Sequence, residues 1–164
     1  MTGVMDGFLR VLGIGIGATL VMDVWLLLLK RMGVPTLNFA FIGRWVGHMP
    51  QGRWRHAGIA NSSPVQHERL LGWLTHYATG IAFAVLLLGL VGNDWARQPT
   101  VLPAVLVGLG TVAAPLLIMQ PALGAGIASS KTPTPLRNCL RSVVNHLVFG
   151  LGLYASALIV ATVI

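Results

Sequence analysis

Four stretches of this chain, about residues 8–29, 70–92, 101–122 and 142–163, stay apolar for the length a helix needs to cross a bilayer. At 1.5 Å per residue, about 20 residues cover a hydrocarbon layer roughly 30 Å thick. Backbone N–H and C=O groups find no partner in lipid, so such stretches must close their hydrogen bonds internally, as helices. Composition agrees, with 55% hydrophobic and 9% charged residues, where a soluble domain carries about 25% charged. Nothing is left over to build a soluble core. The expectation is an all-α, integral membrane four-helix bundle, one membrane domain over residues 1–164.

The net charge of +7 does not call for a nucleic-acid partner, because its distribution has a simpler cause. Lys30, Arg31, Arg44, Arg53, Arg55 and Arg69 lie between the first two spans or at that junction. Lys131, Arg137 and Arg141 lie between the third and fourth. Only Arg10 and Arg97 fall on the other side. This positive-inside bias places both loops, about residues 30–66 and 124–134, in the cytoplasm, with both termini outward (N-out/C-out) in a bacterial inner membrane. Lys30-Arg31 stands where a signal peptidase would need small residues, so the first run is expected to be retained. Membrane lipid is the expected partner. Arg53 and Arg55, flanking Trp54, suit contact with anionic headgroups, the alternative being a phosphate-bearing substrate.

Local signals refine the boundaries. Ser63-Pro64-Val65-Gln66 reads as a capping box and predicts that the second spanning helix starts there. Thr134-Pro135 repeats the cap-and-proline signal before the fourth, and Gly92-Asn93-Asp94 ends the second. Pro115 and Pro121 are expected to loosen or kink the later half of the third span. In the first loop, Leu37, Phe41, Trp45 and Ile42, Val46, Met49 recur at helical spacing and predict a short interfacial helix.

Each span carries a polar residue toward the same end: Asp23, His76, Gln120 and His146, the last beside Asn145. Hydrocarbon penalises such groups, by roughly 2.5–3.5 kcal/mol for a central Asp on insertion scales. Four at matched depth point to a shared polar layer. Asp23 shares a helical face with Thr19 and Gly15, and Gly13 and Gly17 stand at GxxxG spacing, so this helix is expected to turn toward others. Met22-Asp23 pairs with Met119-Gln120, and Thr75-His76-x-x-x-Gly80 with Asn145-His146-x-x-x-Gly150, as a weak parallel repeat would. Such a repeat puts Asp23, Gln120, His76 and His146 around one axis.

Asp23, His76 and His146 are the candidate ligands should a metal be present, since two imidazoles and a carboxylate can hold iron or zinc. A haem between His76 and His146 is geometrically allowed. Three helices would have to supply the three ligands, and no HExxH run exists, so no cofactor is expected. Cys139, the single cysteine, excludes an internal disulfide and a thiolate cluster.

Gly17-Ala-Thr-Leu-Val-Met-Asp23-Val-Trp25, the stretch from Gly43-Arg-Trp-Val-Gly-His48 to Gly52-Arg-Trp-Arg-His56, Gly72-Trp-Leu-Thr-His76-Tyr77, Met119-Gln-Pro-Ala-Leu-Gly124 and His146-Leu-Val-Phe-Gly-Leu-Gly-Leu-Tyr154 resemble a family of small bacterial inner-membrane proteins, a domain of unknown function. The resemblance covers nearly the whole chain. It implies bacterial origin and four spans, and supplies no activity or catalytic residue. Three readings therefore stay open. The first is a proton-linked transporter or permeation protein, a homo-oligomer. There Asp23 carries the proton, His76 and His146 relay it, and Gln120 and Asn145 orient the solute. The second is a non-catalytic membrane subunit or assembly factor. The third is a metal- or haem-dependent enzyme at the cytoplasmic face.

Overall fold

The computed structural model describes residues 2–164, in which the regular structure is all helical and no strand occurs. The α-helices among them are α1 (Thr2–Arg31), α2 (Phe39–His48), α3 (Glu68–Val91), α4 (Val101–Gly110), α5 (Gln120–Leu123) and α6 (Pro135–Val163). A π-helical stretch, Ala114–Met119, lies between α4 and α5. Four spans are long and apolar enough to cross a membrane: Met5–Arg31, Glu68–Val91, Val101–Leu123 and Pro135–Val163. The chain is a multi-pass membrane protein.

The helix ends follow from local chemistry. Lys30 and Arg31 sit in the last turn of α1, favourable against its negative dipole end. Gly33 then turns into the left-handed region at φ +77°. Its N–H donates to Lys30 O at 3.1 Å, and the Val34 N–H donates to Leu29 O at 2.9 Å, a Schellman closure. At α6, Pro135 opens the helix as its signal predicts, and the Thr134 carbonyl accepts the Asn138 N–H at 3.1 Å. The third span loosens where its prolines stand. Pro115 lies in the π-helical stretch, where the Gln120 N–H reaches back five residues to the Pro115 carbonyl. Pro121, with no N–H, follows directly.

The second spanning helix departs from expectation. It begins at Glu68, several residues after the Ser63-Pro64 signal. His67 takes φ +56°, a conformation outside the right-handed helix. The Glu68 carboxylate folds back to accept the Val65 N–H at 3.2 Å, a bond to the turn before the helix rather than a cap on it. The helix in the first loop is present as α2, opened by Asn38, whose side chain accepts the Ala40 N–H at 3.0 Å.

Backbone contacts divide the described chain into two compact units. The first comprises residues 1–35, 77–111 and 145–164. Its core joins Ile14 and Ala18 of α1, Ala84, Leu87 and Leu88 of α3, Ala104 of α4, and Phe149, Leu153 and Ala157 of α6. Small residues set the helix crossings. A Cβ on Gly15 would lie 2.6 Å from Ile81 Cα, and one on Gly108 would lie 2.5 Å from Gly150 Cα. Between helices in lipid, this close backbone approach supplies dispersion contact where no hydrophobic drive exists. Leu90, Leu102, Leu106 and Ile159 remain exposed, as surfaces meeting acyl chains can.

The second unit comprises residues 36–76 and 112–144. Here α2 crosses the start of α3 at Gly43 and Gly72. A Cβ on Gly43 would strike the Glu68 carbonyl, and one on Gly72 the Phe39 carbonyl. The crossing turns Ile42, Gly43, Arg44 and His48 of α2 inward.

Candidate functional site

Within the first unit, the polar residues singled out by position each meet a partner on another helix. The Tyr77 hydroxyl of α3 donates to Asp23 Oδ2 of α1 at 2.8 Å. The Trp25 indole N–H of α1 donates to Asn145 Oδ1 of α6 at 2.9 Å. His146 of α6 is buried, its Nδ1 lying 3.0 Å from Thr111 Oγ1 and 3.3 Å from the Gly108 carbonyl oxygen. The Thr111 hydroxyl hydrogen is already committed, donating to Gly108 O at 2.7 Å. A hydroxyl has one hydrogen, so Nδ1 of His146 must be the nitrogen carrying the proton toward both oxygens. Phe83 and Phe149 flank the ring. The ring is thereby held in one tautomer between aromatic faces.

The remaining predicted residues belong to the second unit. Gln120 is gripped at both ends: its Nε2 donates to Ser142 Oγ at 3.3 Å, and its Oε1 accepts the Ser129 hydroxyl at 3.0 Å. The His76 ring lies 4.5 Å from Phe39 and 5.9 Å from Trp73, centre to centre. Arg53 and Arg55 are exposed on the loop after Gly52. Cys139 donates its S–H to the Ala128 carbonyl at 3.1 Å. Among the described residues, no group of three or more His, Cys, Asp and Glu side chains is placed to hold a metal ion.

A buried polar cluster in the second unit was not singled out by the sequence pattern. Arg44 is only 8% exposed. Its Nε and Nη2 donate to the two Glu68 oxygens at 2.8 and 2.9 Å, a bidentate pair. Nη1 donates to the carbonyls of Ile59, Ala60 and Ser62 at 3.1, 3.2 and 3.0 Å. One guanidinium thus ties α2 to α3 and shapes the 3-10 turn Ile59–Asn61. Glu68 holds Arg44 more firmly in its charged form than usual. One turn along α2, His48 Nδ1 lies 2.9 Å from His56 Nε2. Burial, and then the charges of Arg53, His56 and Arg44, hold the His48 pKa below its ordinary value.

Two sequence signals pointed here. Arg44 and His48 stand four apart on one helical face, and Glu68 is one of only four acidic residues in the chain. The sequence supplied no reason to join them, because Arg44 and Glu68 are 24 residues apart.

This arrangement offers two kinds of chemistry. A carboxylate inside a span accepts a hydrogen from a neutral hydroxyl on a second spanning helix. Buried ionic and imidazole groups around α2 can fix a loop against two helices. No curated protein and no solved structure matches the chain. The model of one family, described as a protein of unknown function (DUF2938), matches residues 12–160, nearly the whole length, and the chain belongs to that family.

Proposed function

We propose that this protein moves a small solute or ion across the bacterial inner membrane in a proton-linked step, with Asp23 as the proton-carrying group. The observation that carries the reading is the bond from the Tyr77 hydroxyl to Asp23 across two spanning helices. An ionised Asp23 accepts the Tyr77 O–H. A protonated Asp23 donates its own hydrogen to the Tyr77 oxygen or keeps accepting through its second oxygen. The contact between α1 and α3 therefore survives either state, as a reversible carrier requires. Asn145 and Gln120 orient the solute, and His146 and His76 relay or gate the proton. The excess of Lys and Arg in the loops after the first and third spans directs those loops to the cytoplasm. Arg53 and Arg55 meet anionic lipid headgroups there, and copies of the chain associate in the bilayer.

The test is reconstitution of the purified protein in vesicles with a trapped pH dye. Under an imposed pH gradient, wild type should dissipate the gradient, and Asp23→Asn should not. Equal fluxes in wild type and Asp23→Asn would remove the proposal. A second reading, a non-catalytic membrane subunit, draws on the closed partnerships of Asn145, His146 and Gln120, each bonded to another residue of the chain. It expects no flux from either protein, and co-purification of a partner polypeptide that Asp23→Asn leaves in place.

A further inference from the structure

His48 and His56 are 3% and 9% exposed, and their rings stack 27° from parallel with centres 5.1 Å apart. Their 2.9 Å nitrogen–nitrogen contact can hold a single hydrogen between donor and acceptor. With both rings neutral, one N–H faces one lone pair. One added proton leaves the bridge intact, because the new imidazolium still donates to its neighbour's lone pair. A second added proton puts hydrogens on both facing nitrogens, and the bridge cannot exist. The outer nitrogen of His56, Nδ1, is buried and has no hydrogen-bond partner.

The surroundings act in the same direction. Arg44 on α2 and Arg53 on the loop oppose positive charge on His48, as does His56. The Ser63 carbonyl favours the His48 proton, and Glu68 at the start of α3 also attracts it. The balance leaves His48 harder to protonate in place than a free imidazole.

What the pair fastens is a loop. The His56 N–H donates to the Ala122 carbonyl at 2.9 Å, and the Arg53 N–H to the His48 carbonyl at 3.3 Å. The Trp45 indole N–H donates to the Trp54 carbonyl at 2.9 Å. Gly124, at φ +97°, admits the His56 and Ala57 carbonyls so closely that a Cβ would collide with them. Between these ties runs the exposed triplet Arg53-Trp54-Arg55.

We propose that the His48–His56 pair is a pH-sensitive latch that holds the 52–58 loop down while the rings share one bridging hydrogen and releases it when acid protonates both. The closed loop binds fewer protons than the open one. It is therefore favoured above the ordinary imidazole range, near 6.5, and is lost as pH falls below it. The inference is independent of transport, since a non-catalytic subunit could use the same latch.

The experiment measures distances between spin labels in nanodiscs, on full-length protein carrying Ala57→Cys and Lys131→Cys with Cys139→Ser. Wild-type histidines should give one narrow distance at pH 8 and a broad, longer distribution at pH 5, reversibly. His48→Gln and His56→Gln should each stay narrow at both pH values. A glutamine amide can donate to or accept from the remaining ring in either of its protonation states. The two variants report separately, so one that fails to assemble leaves the other decisive. An unchanged distribution in the wild-type background overturns the latch. So does an acid response that persists in the glutamine variants, which would reflect general loosening.

Discussion

The middle of the spans in the first unit and the α2–α3 crossing in the second hold their polar groups differently. In the first, Asp23, Asn145 and His146 lie within spans and meet neutral partners: a tyrosine hydroxyl, an indole and a threonine hydroxyl. In the second, Arg44 and Glu68 form a bidentate ionic pair, and two imidazoles bond beside them. Neutral bonds between spanning helices are worth little net, about 0.6 kcal/mol on average, because alternative partners exist in the membrane-inserted unfolded state. A buried ionic pair behaves otherwise, since removing one member strands the other charge, at about 3–5 kcal/mol. The difference teaches that the polar residues easiest to notice in a membrane sequence need not be those that hold it together.

The comparison can be broken first at Arg44. Arg44→Met should cost about 3–5 kcal/mol, seen as a large fall in thermal unfolding temperature in nanodiscs. Replacing both members, Arg44→Met with Glu68→Leu, should recover part of that loss, because no charge is then stranded. If the double variant is no better than the single, the three carbonyl bonds outweigh the ion pair. Gly108→Leu in the first unit comes next. Its side chain has no room against Gly150, and overpacking of this kind costs about 1–3 kcal/mol. Tyr77→Phe should follow with about 0.6–1.7 kcal/mol, the range for single bonds between spanning helices. The smallest effect on stability belongs to Asp23→Asn. Its amide oxygen still accepts the Tyr77 hydroxyl, so the unfolding temperature should barely move while proton flux disappears. A large loss of stability in Asp23→Asn would erase the distinction between these two regions and favour the subunit reading.

Much of the architecture could be read in the sequence, for identifiable reasons. Each span is announced by its own residues, because lipid forces an apolar run of that length into a helix. Pro115, Pro121 and Thr134-Pro135 act on their own neighbours, and the π-helical stretch and the start of α6 lie where they stand. The start of α3 was less legible. Ser63-Pro64 looks like a cap, yet the helix starts only at Glu68, whose carboxylate folds back to the Val65 N–H while paired to an arginine from α2. The candidate residues of the spans were visible as exceptions to apolarity. Their partners were not: Tyr77 is 54 residues from Asp23, and Trp25 is 120 from Asn145. Aromatic residues near span ends are common enough to carry no such signal. Arg44 and His48 were hidden for the opposite reason, since charged residues in a loop of a membrane protein are ordinarily solvated.

The sequence alone therefore determined how many helices cross the bilayer and where the chain bends, because each depends on a short segment and its solvent. Tertiary structure decided which hydroxyl meets Asp23, that Arg44 is buried against Glu68, and that His48 and His56 share a hydrogen. The first two pairings depend on the register at which two helices cross. That register is set by glycines such as Gly43 and Gly72, whose close approach no single segment can specify.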